Sequence, residues 1–188
     1  MKLKLVGCNA LRRELCALAA LSPHEIDLVL LPPGAMRGAA LARAVGEPNG
    51  AEYMLLGCGL CAAEGLAAEE IPLIVPAAHD CAQLLLGSAA RYRRAFSENE
   101  DAPRWLIPSG CPSLSARYGA PCAVISPLGP RPALPAGTRE YAAELSMLRD
   151  LLNGIWDERF IEVAPGFCLR ASGDGAIAYA EPTASPGV

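Results

Sequence analysis

Hydrophobic positions along the chain fall into two alternating kinds of segment. Short, nearly continuous apolar runs bounded by Gly and Pro alternate with stretches whose apolar residues recur every three or four positions. Leu3, Leu5 and Val6 mark a strand over Lys2 to Gly7, and Leu11, Leu15 and Leu18 predict a helix from Asn9 to Ala20. Ile26 to Leu31 reads as a strand buried on both faces and stopped by Pro32-Pro33. Gly34 to Val45 predicts an Ala-rich helix, followed by a turn at Gly46 to Gly50. A third strand is expected over Glu52 to Leu56, then a Gly- and Cys-containing loop and a short helix ending near Glu69. Ile71 to Val75 predicts a fourth strand, Ala82 to Phe96 a helix and Arg104 to Ile107 a fifth strand.

This repeated alternation implies an α/β domain with a mainly parallel sheet and helices on both faces, a Rossmann-like three-layer sandwich. Residues 1–167 form that single domain in this reading, interrupted by a Pro- and Gly-rich excursion over 108–137 with a short strand at Val124 and Ile125. Thr138 is expected to cap a helix whose stripe is Tyr141, Leu145, Leu148, Leu152 and Ile155, ending near Asn153-Gly154. Arg159 to Val163 predicts a last strand. Residues 168–188 form a C-terminal extension with a turn at Ser172 to Gly175 and a frayed end.

Composition narrows the classes of function. Apolar residues make up 52% of the 188 positions and charged residues 19%, which excludes disorder for most of the chain. A net charge of −4, with only Lys2 and Lys4 as lysines and the arginines scattered, argues against nucleic acid as a partner. No apolar run approaches the roughly 20 residues that cross a bilayer. Met1 to Cys8 imitates a lipoprotein signal, but its apolar stretch is short and Arg12, Arg13 and Glu14 follow at once. A cytoplasmic protein is the expectation. Its eight cysteines then read as free thiols or metal ligands rather than disulfides.

In an open parallel sheet, ligands bind outside the carboxyl ends of the strands. Cys8 follows the first predicted strand, Cys58 and Cys61 the third, His79 and Cys81 the fourth, and Cys111 the fifth, all on one edge. Cys16, Cys122 and Cys168 fall in helix, loop and tail. The Cys58-x-x-Cys61 pair is open to three readings: two thiolates facing one ion, a redox pair, or two small apolar side chains in packing. Gly57-x-Gly59-x-x-Ala62 also resembles a weak dinucleotide-binding fingerprint. His79-x-Cys81 offers an imidazole and a thiolate two residues apart, borderline-soft ligands suited to zinc or cluster iron. Asp80 can orient His79 or cap the following helix. Arg12 or Arg13, at the start of the first helix, can bind an anionic part of a substrate. His24 reads as a surface residue.

Several stretches resemble the uncharacterised domain-of-unknown-function family 1638. They are Val6-Gly7-Cys8 with Leu11-Arg12-Arg13-Glu14, Leu55 to Cys61, Pro72 to Cys81, Leu86 to Tyr92 and Leu151 to Asp157. The similarity spans most of residues 1–167, and its most specific part is the Gly-Leu-Cys and His-Asp-Cys combination. The resemblance implies a Cys₃His set of Cys8, Cys61, His79 and Cys81, with an aromatic residue in relatives where this chain has Cys58. Cys58 and Cys111 are then additional ligands or thiols particular to this chain. The 108–137 stretch departs from the family pattern. The resemblance also implies a setting near corrinoid-dependent methyltransferases.

Three functions follow as expectations. The first is a zinc site that activates a substrate thiol for methyl transfer in corrinoid-linked one-carbon metabolism, a metal-dependent methyltransferase. The second is an iron–sulfur enzyme acting on a sulfur-containing substrate. The third is a non-enzymatic metal- or corrinoid-handling protein that docks onto a corrinoid protein or methyltransferase.

Overall fold

The computed structural model describes residues 1–99, 103–107, 111–112, 121–129, 131–171 and 178–183, with only the backbone course at 111, 112 and 171. Its centre is a five-stranded sheet built from β1 (Lys2–Cys8), β2 (Glu25–Leu31), β3 (Tyr53–Gly57), β5 (Leu73–Pro76) and β10 (Phe160–Val163). The order is β10-β5-β3-β1-β2; all neighbours are parallel except β10, which runs antiparallel to β5. From β1 the chain moves outward to β2, then crosses back to place β3 on the other side of β1. The strand order therefore reverses between β1 and β3, the point at which open α/β sheets hold their ligands.

Strand alternation sends the two sets of apolar residues to opposite faces. Leu3, Leu5, Leu55 and Ile74 pack with Leu15 and Leu18 of α1 (Arg12–Ala19) and Leu148, Leu151 and Leu152 of α5 (Ser146–Leu152). Leu84, Leu85 and Leu86 of α3 (Cys81–Leu86) complete that face. Val6, Met54, Leu56, Leu73 and Val75 pack on the other face with Leu41 and Val45 of α2 (Gly38–Gly46). That face is shared with a small antiparallel sheet, β4 (Ala67–Ala68), β11 (Phe167–Ala171) and β12 (Ala178–Pro182), in the order β12-β11-β4. No described helix is long and apolar enough to cross a membrane.

Several expectations are corrected. β2 is an edge strand, so its apolar run is only half-buried, not covered on both faces. The helix expected up to Glu69 is a single 3₁₀ turn at Leu60–Ala62. Gly65, at φ +75°, turns the chain, and its N–H and the Leu66 carbonyl are taken by Leu169 of β11. The helix expected over 82–96 is two, α3 and α4 (Ala89–Ser97), broken by Gly87 at φ +73°.

The largest correction concerns Arg104 to Ile107. This strand, β6, does not extend the central sheet, because β10 occupies the edge beside β5 with Phe160 opposite Pro76. It forms a second sheet with β7 (Cys111–Pro112), β8 (Pro121–Ile125) and β9 (Arg139–Ala142), in the order β7-β6-β8-β9. The helix expected from Thr138 accordingly begins only at Ser146, since Arg139 to Ala142 pair in parallel with Cys122 to Ile125. Cys122 and Cys168 lie in strands β8 and β11, not in a loop and a tail. The turn expected at 172–175 lies outside the described residues.

Candidate thiol site at the sheet switch point

Two glycines open the ends of the central strands. Gly7 of β1 stands opposite Gly57 of β3. A Cβ on Gly7 would collide with Leu15 of α1, and one on Gly57 would lie 3.3 Å from the Gly7 Cα. Their bare backbones let α1 close over the strand ends, and Cys8 follows as the last residue of β1, 3% exposed.

The loops after β3 and β5 are stitched together. Leu60 N–H donates to the Ala78 carbonyl at 2.7 Å, and Cys61 N–H donates to the His79 carbonyl at 3.0 Å. Gly59 lies against that second loop: a Cβ there would sit 2.6 Å from Asp80 Cα and 2.8 Å from the Ala78 carbonyl oxygen. The glycine that resembled part of a dinucleotide fingerprint is thus filled by protein backbone, and no α-helix follows it. Asp80 caps α3 by accepting from Gln83 N–H at 2.9 Å. The Gln83 side chain returns the favour to His79 N–H at 2.9 Å, a variant of the reciprocal capping box. His79 and Cys81 are therefore fixed on either side of a helix cap.

These loops gather four thiols. Cys8 and Cys58 are buried in one apolar cluster, Cys81 packs at the junction of both, and Cys61 reaches the surface. Burial pushes the Cys58 thiol up strongly, and Cys81, Cys61 and Cys8 each add to the rise. Cys81 is raised in the same way, by burial and then by Cys61, Cys8 and Asp80, while the Gly59 N–H works against the rise. Although Cys61 reaches the surface, crowding by protein on its inner side is the largest influence and raises it. Asp80 adds to that, and a hydrogen bond from the Arg37 guanidinium opposes it. Such mutually coupled thiolates favour a cation among them, or protons in its place.

His79 is exposed at the rim, with Nδ1 3.5 Å from Asp80 Oδ2 and 3.4 Å from the Tyr92 hydroxyl. Tyr92 O–H donates to Asp80 Oδ2 at 2.7 Å. Burial is the main cause that raises the Tyr92 phenol, followed by the Asp80 charge. Among the described residues, no three His, Cys, Asp or Glu side chains stand close enough together in this arrangement to hold a metal ion.

Other expected site residues lie elsewhere. Arg12 and Arg13 line an open groove of about 680 Å³ with Asn9, Cys16 and Ala17, and Arg13 lies against Gly129 in the loop after β8. Cys111 lies in β7 of the second sheet, so it does not follow a strand of the central one; its side chain lies outside the described residues. Cys16 is exposed on α1, Cys122 donates to Asn99 Oδ1 at 3.4 Å, and Cys168 is buried in β11. His24 is tied down, with Nε2 3.2 Å from the Asn153 carbonyl. Sequence reasoning missed Arg37 and Tyr92. Arg37 had no signal, and Tyr92 comes to Asp80 only through the α3–α4 break. The Asp80-x-x-Gln83 cap was readable.

The raised thiols set a pH dependence. Cysteines of the unfolded chain ionise near pH 8.5, whereas buried Cys58 and Cys81 stay protonated well above that. Their contribution is intact below about pH 8.5 and is lost as pH rises, at about 1.4 kcal/mol per thiol per pH unit. Thermal melts of metal-free protein between pH 7 and 9.5 are expected to show a steady fall above pH 8.5, flattened in Cys58→Ala. A level profile would contradict this burial.

No curated protein and no solved structure matches the chain. The link to corrinoid-dependent methyl transfer gains no support from the family match that follows. Residues 38–111 match the family model described as protein of unknown function (DUF1638), a family without an assigned activity.

Proposed function

We propose that the carboxyl edge of the central sheet is a thiolate metal centre within a Rossmann-like three-layer fold. One observation carries the reading: beside the strand-order reversal, the end of β1 and the segments that follow β3 and β5 bring Cys8, Cys58, Cys61 and Cys81 into one coupled cluster. Three of these thiols are held by packing, and Cys61 and His79 at the rim are the donors that must swing inward for ligation. Cys8, Cys61, Cys81 and His79 form the proposed ligand set, with Cys58 as the fifth donor. Sulfur-rich donors of this kind suit zinc, or the iron of a cluster, over hard cations. The seven described cysteines form no disulfide, which fits a reducing, cytoplasmic setting.

When bound, zinc would supply Lewis-acid stabilisation of a substrate thiolate. The proposed activity is methyl transfer from a methyl-corrinoid donor to a small thiol: the thiol would give up its proton to solvent, its sulfur would attack the methyl carbon, and the bonding electron pair would leave with the corrinoid. A corrinoid protein or methyltransferase is the partner this activity would use. Arg37, beside Cys61 at the exposed rim, is better placed than Arg12 or Arg13 to meet an anionic substrate.

Cobalt(II) titration of reduced, metal-free protein tests the centre. Thiolate-to-cobalt absorption saturating at about one equivalent is expected, with release of protons because the ligands are protonated beforehand. No absorption change would overturn the reading.

A further inference from the structure

His79 Nδ1 has two neighbours whose hydrogen-bonding roles can be deduced. One is Asp80 Oδ2 at 3.5 Å, a carboxylate oxygen that only accepts when ionised. The other is the Tyr92 hydroxyl at 3.4 Å. The single proton of that hydroxyl is already directed to Asp80 Oδ2 at 2.7 Å, so toward His79 the phenol oxygen can offer only lone pairs. Both neighbours are acceptors, and the nitrogen facing them must carry the hydrogen.

The acceptors are themselves held in place. Asp80 Oδ1 is fixed by Gln83 N–H at 2.9 Å. Tyr92 stacks on Trp105 with centroids 5.6 Å apart and rings 21° from parallel, and it leans on Phe96 at 4.9 Å. Trp105 belongs to β6 and meets Tyr141 of β9 edge-on at 5.9 Å. The second sheet therefore braces a line of contacts that runs through Tyr92 and Asp80 to the imidazole.

We infer that Tyr92 is a positioning residue: with Asp80 it holds His79 as the Nδ1–H tautomer, so that Nε2 carries the lone pair. This rests on the reading of His79 as a member of the thiol site. A neutral imidazole ligates a metal, or accepts a proton, through its lone-pair nitrogen, and a carboxylate on the other nitrogen fixes which one that is. Tyr92 works one step further out, by orienting the carboxylate.

The chain has two histidines, which makes a direct test practical. In metal-free protein with ¹⁵N-labelled histidine, long-range ¹H–¹⁵N spectra report the tautomer of each ring, and a His24→Gln variant assigns the signals. The expected result is His79 with a protonated Nδ1 and an unprotonated Nε2. Tyr92→Phe is expected to lose that tautomeric bias and to weaken zinc binding about tenfold. Phe96→Leu, which disturbs the same aromatic group without touching the hydroxyl, is expected to keep both. A wild-type His79 that is protonated at Nε2 would overturn the assignment without recourse to any variant. So would a folded Tyr92→Phe protein with unchanged tautomer and zinc affinity. Should the wild type bind no zinc, the metal centre falls, and the tautomer alone decides the role of Tyr92.

Discussion

Gly59→Ala is expected to lower the melting temperature by about 6–12 °C, whereas Gly34→Ala leaves it unchanged. The added methyl at position 59 would press on Asp80 Cα, Asp80 N and the Ala78 carbonyl, all backbone atoms, at 2.6–2.8 Å. No flexible side chain is there to yield. The loops after β3 and β5 must separate, breaking the hydrogen bonds from Leu60 to Ala78 and from Cys61 to His79. Forced overpacking of this kind destabilises by roughly 3 kcal/mol at the upper end, and each kcal/mol shifts the midpoint by about 2–4 °C in a chain of this size. Gly59 has φ −83°, so the effect comes from crowding and not from backbone conformation. At Gly34 a Cβ would meet nothing within 4 Å. Equal melting temperatures for the two variants would show that the loops do not lie as described.

Cys81→Ala is expected to abolish cobalt and zinc uptake while the protein stays folded, and Cys16→Ala to retain full uptake. Cys81 is the first residue of α3, set between the two apolar clusters and coupled to Cys61 and Cys8. Alanine keeps the cap made by Asp80 and leaves a hole only the size of a sulfur atom. Loss of metal with retained folding is therefore the signature of a lost ligand. Cys16 lies exposed on α1, away from the cluster. Full uptake by Cys81→Ala would move the site elsewhere.

The central strands were legible because each is a short apolar run ended by Gly or Pro, and the motif residues fall where those runs stop. The partner of a strand was not legible. Arg104 to Ile107 reads as a strand on its own residues, but its sheet is decided by Phe160 to Val163 pairing antiparallel with β5, more than 50 residues away. The stripe Tyr141, Leu145, Leu148 fits a helix by spacing, yet parallel pairing with β8 draws its first part into β9. Three-residue periodicity could not reveal that competing partner.

The site divides in the same way. Cys8, Cys61, His79 and Cys81 are read as candidates from strand ends and from the motifs that carry the family resemblance. Cys58, set aside on resemblance, lies in the buried cluster with Cys8. Arg37 stands in the extended backbone just before α2 and Tyr92 in α4, and only tertiary packing brings them to Cys61 and Asp80.

Elemental analysis with a visible absorption spectrum, on untagged protein purified without oxygen, tests the central claim most directly. The account predicts about one zinc per chain and no colour, or iron with acid-labile sulfide and broad absorption near 400 nm if the centre is a cluster. Protein that carries neither metal, with all eight thiols titratable after unfolding, would contradict it.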